Sequence, residues 1–225
     1  MKTSRRSSGG PPDVLTGSFR PRAAAHSSAP EADVGLASEL RISQMLERDK
    51  VFPALAQQGI LGVLGSKPYE YWNLGPRVTA LLWEDLGSAT RAITPGEAAA
   101  WAGSETEAVV MAMANLDKEI HEGRLQFGVA ELPLGGKCGF FDQHWLAGAT
   151  ILHNGLLPWI AQSLGTDHVM ALVPAPESVA YFAVDCTTEV RDAVELFAQK
   201  AGEAARKPLG RNLFRFVDGA PKIVG

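Results

Sequence analysis

Residues 169–184 read VMALVPAPESVAYFAV, and this stretch decides the fold class. Two apolar runs, Val169–Val173 and Ser178–Val184, flank Pro174-Ala175-Pro176-Glu177. The two prolines lack the N–H that a strand ladder needs, so they belong to a tip and not to a strand. A short tip between two strand-like runs predicts a β-hairpin, and therefore antiparallel neighbours instead of a parallel crossover.

Downstream, Thr187 or Thr188 is placed to cap a helix. Its inward face is Val190, Ala193, Val194, Phe197 and Ala201, its outer face carries the Arg191–Glu195 pair, and Pro208 closes it. A last strand is expected over Leu213–Val217, and no structure is assigned to the tail at 218–225. Upstream, Leu125, Phe127 and Val129 alternate with polar or small residues. Pro133-Leu134-Gly135-Gly136 then turns that strand toward a second one at Lys137–Phe141. Between the two hairpins, Ala149–Leu164 is apolar enough for a helix on the sheet, with Pro158 expected to kink it.

Thr94-Pro95-Gly96-Glu97 is a helix start: a capping hydroxyl, a proline suited to the first turn and a carboxylate that reaches back to the cap. Ser104-Glu105-Thr106-Glu107 repeats the logic. Val109, Ala112, Met113, Leu116 and Ile120 follow at helical spacing. Strands are expected at Val78–Trp83 and Ala89–Ile93, a loop over Ile60–Tyr71, and a weak helix from Val34 to Lys50 that Phe52-Pro53 ends. The element order has hairpins and no regular βαβ unit, which predicts an α+β domain over 34–217: an antiparallel or mixed sheet with helices packed mainly on one face. Residues 1–33, rich in Ser, Arg, Pro, Gly and Ala, are expected to form a disordered basic arm, since they offer too little apolar surface to offset ordering entropy.

The 225 residues are 46% hydrophobic and 20% charged, ordinary values for one folded domain. Residues 1–30 carry Lys2, Arg5, Arg6, Arg20 and Arg22 against Asp13, a net +4 that leaves −8 on the rest of a chain whose total is −4. An acidic body argues against nucleic-acid binding by the folded part. Cys138 and Cys186, the two cysteines, have neither zinc-ribbon nor disulfide-framework spacing, which fits a reducing, cytoplasmic setting. No apolar run is long enough to span a bilayer, and Arg5-Arg6 is followed by Ser, Gly and Pro where an export signal needs apolar residues.

No phosphate-binding loop, dinucleotide fingerprint, nucleophile elbow or zinc-protease motif is present, so no cofactor or metal is expected. Cys138, Asp142, His144 and His153 form the most suggestive set. Cys138 is either a nucleophile served by His144 or His153, with Asp142 or Asp185 orienting the imidazole, or a small apolar strand residue among surface histidines. A zinc site would need four converging ligands, and the spacing offers no tight pair. His121 suits the end of its helix through the dipole. Asn115 sits beside the inward stripe of a helix that disfavours Asn. It either bonds backbone or faces a ligand. Asp85 follows the apolar run Ala80–Trp83 as a turn-former or a site residue, and Glu177 occupies the hairpin tip. Asp85, Asn115 and Glu177 are the candidate ligand-binding residues. The five tryptophans read as core or interface.

The apolar strand ending in Glu84-Asp85, the Ile93-Thr94 strand end before a helix, and Ala114-Asn115-Leu116 in the next helix resemble the YtpQ-like bacterial proteins of unknown function. The resemblance continues through Phe141–Leu164 and Val169–Phe182 and covers roughly residues 50–217. Its members show Pro-Ser-Arg-Asp at the second hairpin, where this chain has Pro174-Ala175-Pro176-Glu177. The Arg is missing and the Asp is replaced by Glu177. The resemblance implies an α+β fold and a bacterial cytoplasmic setting, and brings no catalytic residues.

Three functions are compatible with these features: a non-catalytic protein that binds a protein or small-molecule partner near Asp85, Asn115 and Glu177; a small hydrolase using Cys138 with a histidine; and an immunity-type protein whose acidic body neutralises a basic toxin.

Overall fold

The computed structural model describes residues 46–62, 68–133 and 135–224. Expectations for the arm at 1–33 and for most of the helix from Val34 lie outside the described residues. Its last part, Leu46–Lys50, is a turn.

Two antiparallel sheets organise the chain. In the first, β3 (Val78–Asp85) is central. β1 (Val51–Gln57) lies along one side of it, and β2 (Glu70–Asn73) and β4 (Thr90–Ala92) share the other. The second has six strands in the order β10-β9-β7-β8-β6-β5, formed by β5 (Phe127–Glu131), β6 (Lys137–Asp142), β7 (Val169–Ala175), β8 (Ser178–Ala183), β9 (Asn212–Val217) and β10 (Ala220–Ile223). The helices are α1 (Pro95–Ala102), α2 (Glu105–His121), α3 (Leu157–Leu164) and α4 (Thr188–Ala204). The fold is α+β.

The helix starts obey local chemistry. Thr94 and Glu97 form the reciprocal capping box at α1, Ser104 caps α2, and Thr187 caps α4. The hairpin β7–β8 forms, but its tip is only Pro176-Glu177: Pro174, expected in the tip, lies inside β7, within the register shift between Leu172 and Ala175 where the ladder to β8 is interrupted.

Four further expectations are corrected. Phe52-Pro53 does not merely end a helix; it lies inside β1, whose residues Val51–Ala56 are all buried and show no alternation to betray a strand. Pro53 is tolerated because β1 is an outer strand. The loop expected over 60–71 contains the start of β2. The helix expected over 149–164 is two 3-10 turns, Gly148–Leu152 and Asn154–Leu156, before α3 begins. Pro158 sits in the first turn of α3, where no N–H is needed, so it starts that helix instead of kinking a longer one. The tail at 218–225 holds β10, because Asp218 (φ 52°) and Gly219 (φ 77°) make the tight turn that an Asp-Gly pair favours.

The main core forms where the inner faces of the two sheets meet the 148–164 segment. Phe52, Leu81, Phe141, Ile151, Ile160, Tyr181 and Phe214 are buried there. A second cluster joins α1 and α2 to the other face of the first sheet through Val51, Leu82, Ile93, Trp101 and Ala112. A third seats Val190, Val194 and Ala198 of α4 on Cys138, Leu172 and Phe182. Thus α3 and α4 cover opposite faces of the six-stranded sheet. Among the described residues no helix is long and apolar enough to cross a membrane.

Candidate functional site

The entry to β1 is where helix, sheet and loop are tied together. Asn115 of α2 donates through Nδ2 to the carbonyls of Arg48 (2.8 Å) and Val51 (2.9 Å). The Asp85 N–H, at the end of β3, donates to the Lys50 carbonyl at 2.7 Å. Asp85 Oδ1 in turn accepts from the Gly87 N–H at 2.7 Å, the turn-forming bond expected of an aspartate before Gly. Asp85 and Asn115 therefore flank the same short segment, and the Asn115 amide bonds backbone far away in sequence instead of its own helix.

His144 stands beside this pair. It follows Gln143, a non-glycine residue held at φ 61°, a conformation that costs about 1 kcal/mol or more and concentrates at sites where the surroundings demand it. Here the demand is the abrupt exit from β6 into the 3-10 turn at Gly148. The Leu146 N–H donates to His144 Nδ1 at 3.3 Å, so the neutral ring carries its proton on Nε2. Burial holds the His144 pKa below the ordinary histidine value. Glu119 and Asp85 oppose that shift and Arg124 adds to it. Trp145 packs edge-on against Phe52, with ring centroids 5.6 Å apart, which fixes the loop over β1.

Glu119 and Arg124 complete the corner. Arg124 Nε and Nη2 each reach a Glu119 carboxylate oxygen at 2.7 Å, a bidentate pair, and Nη1 also contacts Glu122. The hydrogen bonds from Arg124 hold the Glu119 carboxyl below its usual range. Neither residue was identified from the sequence. Their five-residue spacing is not a helical pair, and only the left-handed Gly123 (φ 72°) that ends α2 folds one back on the other.

Glu177 is placed apart from the pair. It lies on the β7–β8 tip, one of its carboxylate oxygens is buried with no hydrogen-bond partner among the described residues, and the neighbouring Pro176 carbonyl accepts from the Gly148 N–H at 2.7 Å. Ser178, next in the chain, donates to Asp142. The corner thus brings together Asp85, Asn115, Glu119, Arg124 and His144. Glu177, the third candidate from the sequence, is not part of this group.

The set around Cys138 separates. Cys138 is buried under α4, where burial and the nearby Cys186 push its thiol pKa up. Cys186 packs against the same apolar cluster. His153 bonds Asp117 Oδ1 through Nε2 at 3.0 Å, on the α2 side of the fold, and its Nδ1 is buried with no partner among the described residues. His121 meets the same Asp117 through its carbonyl (2.9 Å) and Oδ2 (3.3 Å) at the helix end. No hydrogen bond joins either cysteine to a histidine among the described residues. Iodoacetamide at neutral pH should therefore label Cys138 no faster than it labels a denatured control, and rapid stoichiometric labelling of Cys138 would restore the nucleophile.

No protein-family model, curated protein or solved structure matches the chain. Its chemistry is read from its own residues. Among them no group of three or more His, Cys, Asp or Glu is arranged to hold a metal ion. A cleft of about 450 Å3 lies elsewhere, lined by Lys137, His168, Asp185, Cys186 and Thr187 beside the start of α4. The corner offers one imidazole N–H, at His144, and one guanidinium, at Arg124, held between carboxylates.

Proposed function

We propose that the chain is a non-catalytic binding protein that holds a protein or small-molecule partner at the corner formed by Asp85, Asn115, Glu119, Arg124 and His144. One observation carries this reading. His144 is held as a neutral donor by a strained residue and a backbone hydrogen bond, with no activated nucleophile beside it. A histidine whose Nδ1 is already occupied serves recognition of an acceptor better than proton abstraction. The net −8 outside residues 1–30 favours a basic protein partner, including a toxin of the kind an immunity protein neutralises. The chain is on this reading a divergent YtpQ-like protein of the cytoplasm, supported by the order of its elements and by Asn115, which ties α2 to β1.

Native mass spectrometry of the full chain purified from its own host tests the reading. The wild type is expected to carry a stoichiometric companion. The double variant Asp85→Ala, His144→Ala should keep its melting midpoint and hold that companion at least about tenfold more weakly. A companion retained equally by the variant moves the site away from the corner. A wild-type protein without any companion overturns the binding reading.

A further inference from the structure

The two cysteines, which the binding reading leaves unused, meet at the start of α4. Cys138 lies on β6 directly across from Phe182 of β8. β8 ends one residue later, at Ala183, and the chain turns, with the Cys186 N–H donating to the Ala183 carbonyl at 3.2 Å. That turn keeps Cys186 at the strand end beside Cys138, and Thr187 then caps α4. The first turn of the helix is pressed against the entry to β6: a Cβ on Gly136 would lie 2.6 Å from Val190 Cγ2 and 3.7 Å from Thr187 Oγ1. Cys138 and Val190 belong to one apolar cluster, and Cys186 packs against it. Both thiols are free.

Their surroundings differ in the way an exchange reaction needs. Cys186 is half-buried and lines the cleft beside the start of α4, together with Lys137, His168 and Thr187, whereas Cys138 is 1% exposed. A solute reaches the first and not the second. We propose that Cys186 is a thiol-exchange site for a small-molecule disulfide and that Cys138 resolves the adduct, so the chain carries a redox latch between β6 and the start of α4. The Cys186 thiolate attacks one sulfur of the solute disulfide; that S–S bond breaks, and the departing thiolate takes up the proton that Cys186 gave away. Cys138 then loses its proton and attacks Cys186 Sγ. The Cys138–Cys186 bond forms, and the second small thiol leaves with that proton. Two protein thiols are oxidised, and one disulfide is reduced to two thiols. Burial and the nearby Cys186 push the Cys138 thiol pKa up, which slows its attack on anything free in solution; an adduct on Cys186 is already beside it. The bond ties the cap of α4 to β6 and withdraws a thiol from the cleft. Where disulfides form in reducing compartments, they are usually of this transient, redox-sensing kind. The latch involves none of the residues at the His144 corner, and its test is independent of the binding reading.

The experiment exposes the reduced full chain to oxidised glutathione at neutral pH and follows it by intact mass and peptide mapping. The folded wild type should pass through a glutathione adduct on Cys186 and end two hydrogen atoms lighter than it began, with Cys138 and Cys186 linked. Cys138→Ala should stop at the adduct on Cys186. Cys186→Ser, at a half-buried position, should keep the wild-type melting midpoint and react at least about tenfold more slowly than the wild type. In denaturant the wild type should instead take up glutathione on both cysteines, because the fold no longer holds them together. In mixed glutathione buffers the bridge should form with the reduced form still in excess. A lasting adduct on the folded wild type, a bridge between two chains, Cys186→Ser reacting as fast as the wild type, or no reaction overturns the proposal. So does a bridge that forms as readily in denaturant, or one that appears only when reduced glutathione is absent.

Discussion

Phe141→Ala should lower the unfolding free energy by about 3–5 kcal/mol, the range for truncating a fully buried phenylalanine. Phe141 is completely buried and sits between two aromatic neighbours, 5.0 Å from Phe127 and 6.2 Å from Tyr181 between ring centroids. Tyr181 in turn is pinned by a hydroxyl pair with Thr150 at 2.8 Å, which restricts collapse of the surroundings into the cavity. The loss therefore belongs near the top of that range. Urea denaturation monitored by tryptophan fluorescence measures it. A loss below about 1.5 kcal/mol would mean that the core relaxes freely and that the two sheets are not held by this aromatic contact.

Asn115→Asp should cost about 3 kcal/mol at neutral pH, more than Asn115→Ala, although it changes one atom. The Nδ2 group donates to two carbonyl oxygens, and Val51, which supplies one of them, is fully buried. Alanine leaves those oxygens unpaired; aspartate points an anionic oxygen at them. The introduced carboxyl is favoured in its protonated form, so its pKa in the folded protein rises above the unfolded value. The destabilisation should then shrink as pH falls through that raised pKa, where the protonated group donates again. Thermal melts of both variants from pH 7 to pH 4 make the comparison. An Asn115→Asp variant no less stable than Asn115→Ala, or a difference independent of pH, would show that the amide is not the clamp between α2 and β1.

The clamp also explains why the candidate site was only partly legible. A polar residue beside the inward stripe of α2 stands out in sequence, as does an aspartate closing an apolar strand, and both lie at the corner. Nothing local announces that the carbonyls Asn115 serves are those of Arg48 and Val51, because they are more than sixty residues away. Glu119 and Arg124 were silent for a related reason: their pairing depends on the turn at Gly123, not on helical spacing. The attraction of Cys138 was misleading for the opposite reason. A cysteine and two histidines within sixteen positions look like a constellation, but Cys138 faces α4 on one side of the six-stranded sheet, and His153 bonds to α2 on the other. Side chains of neighbouring sequence part company whenever a strand lies between them.

Several features follow from sequence alone: a hairpin turning at Pro176-Glu177, the capped starts of α1, α2 and α4, the α+β class and the acidic charge outside the first thirty residues. Each depends on interactions within a few positions, such as a cap, a proline without its N–H or an alternating face, and these act whatever surrounds them. Tertiary structure decided the rest. β1 became a strand despite Pro53 because it is buried against β3, and β10 formed because β9 was there to pair with it. The corner at His144 exists only once α2, β3 and the entry to β1 have met, since burial, strand partners and the charges around a side chain are properties of neighbours distant in the chain.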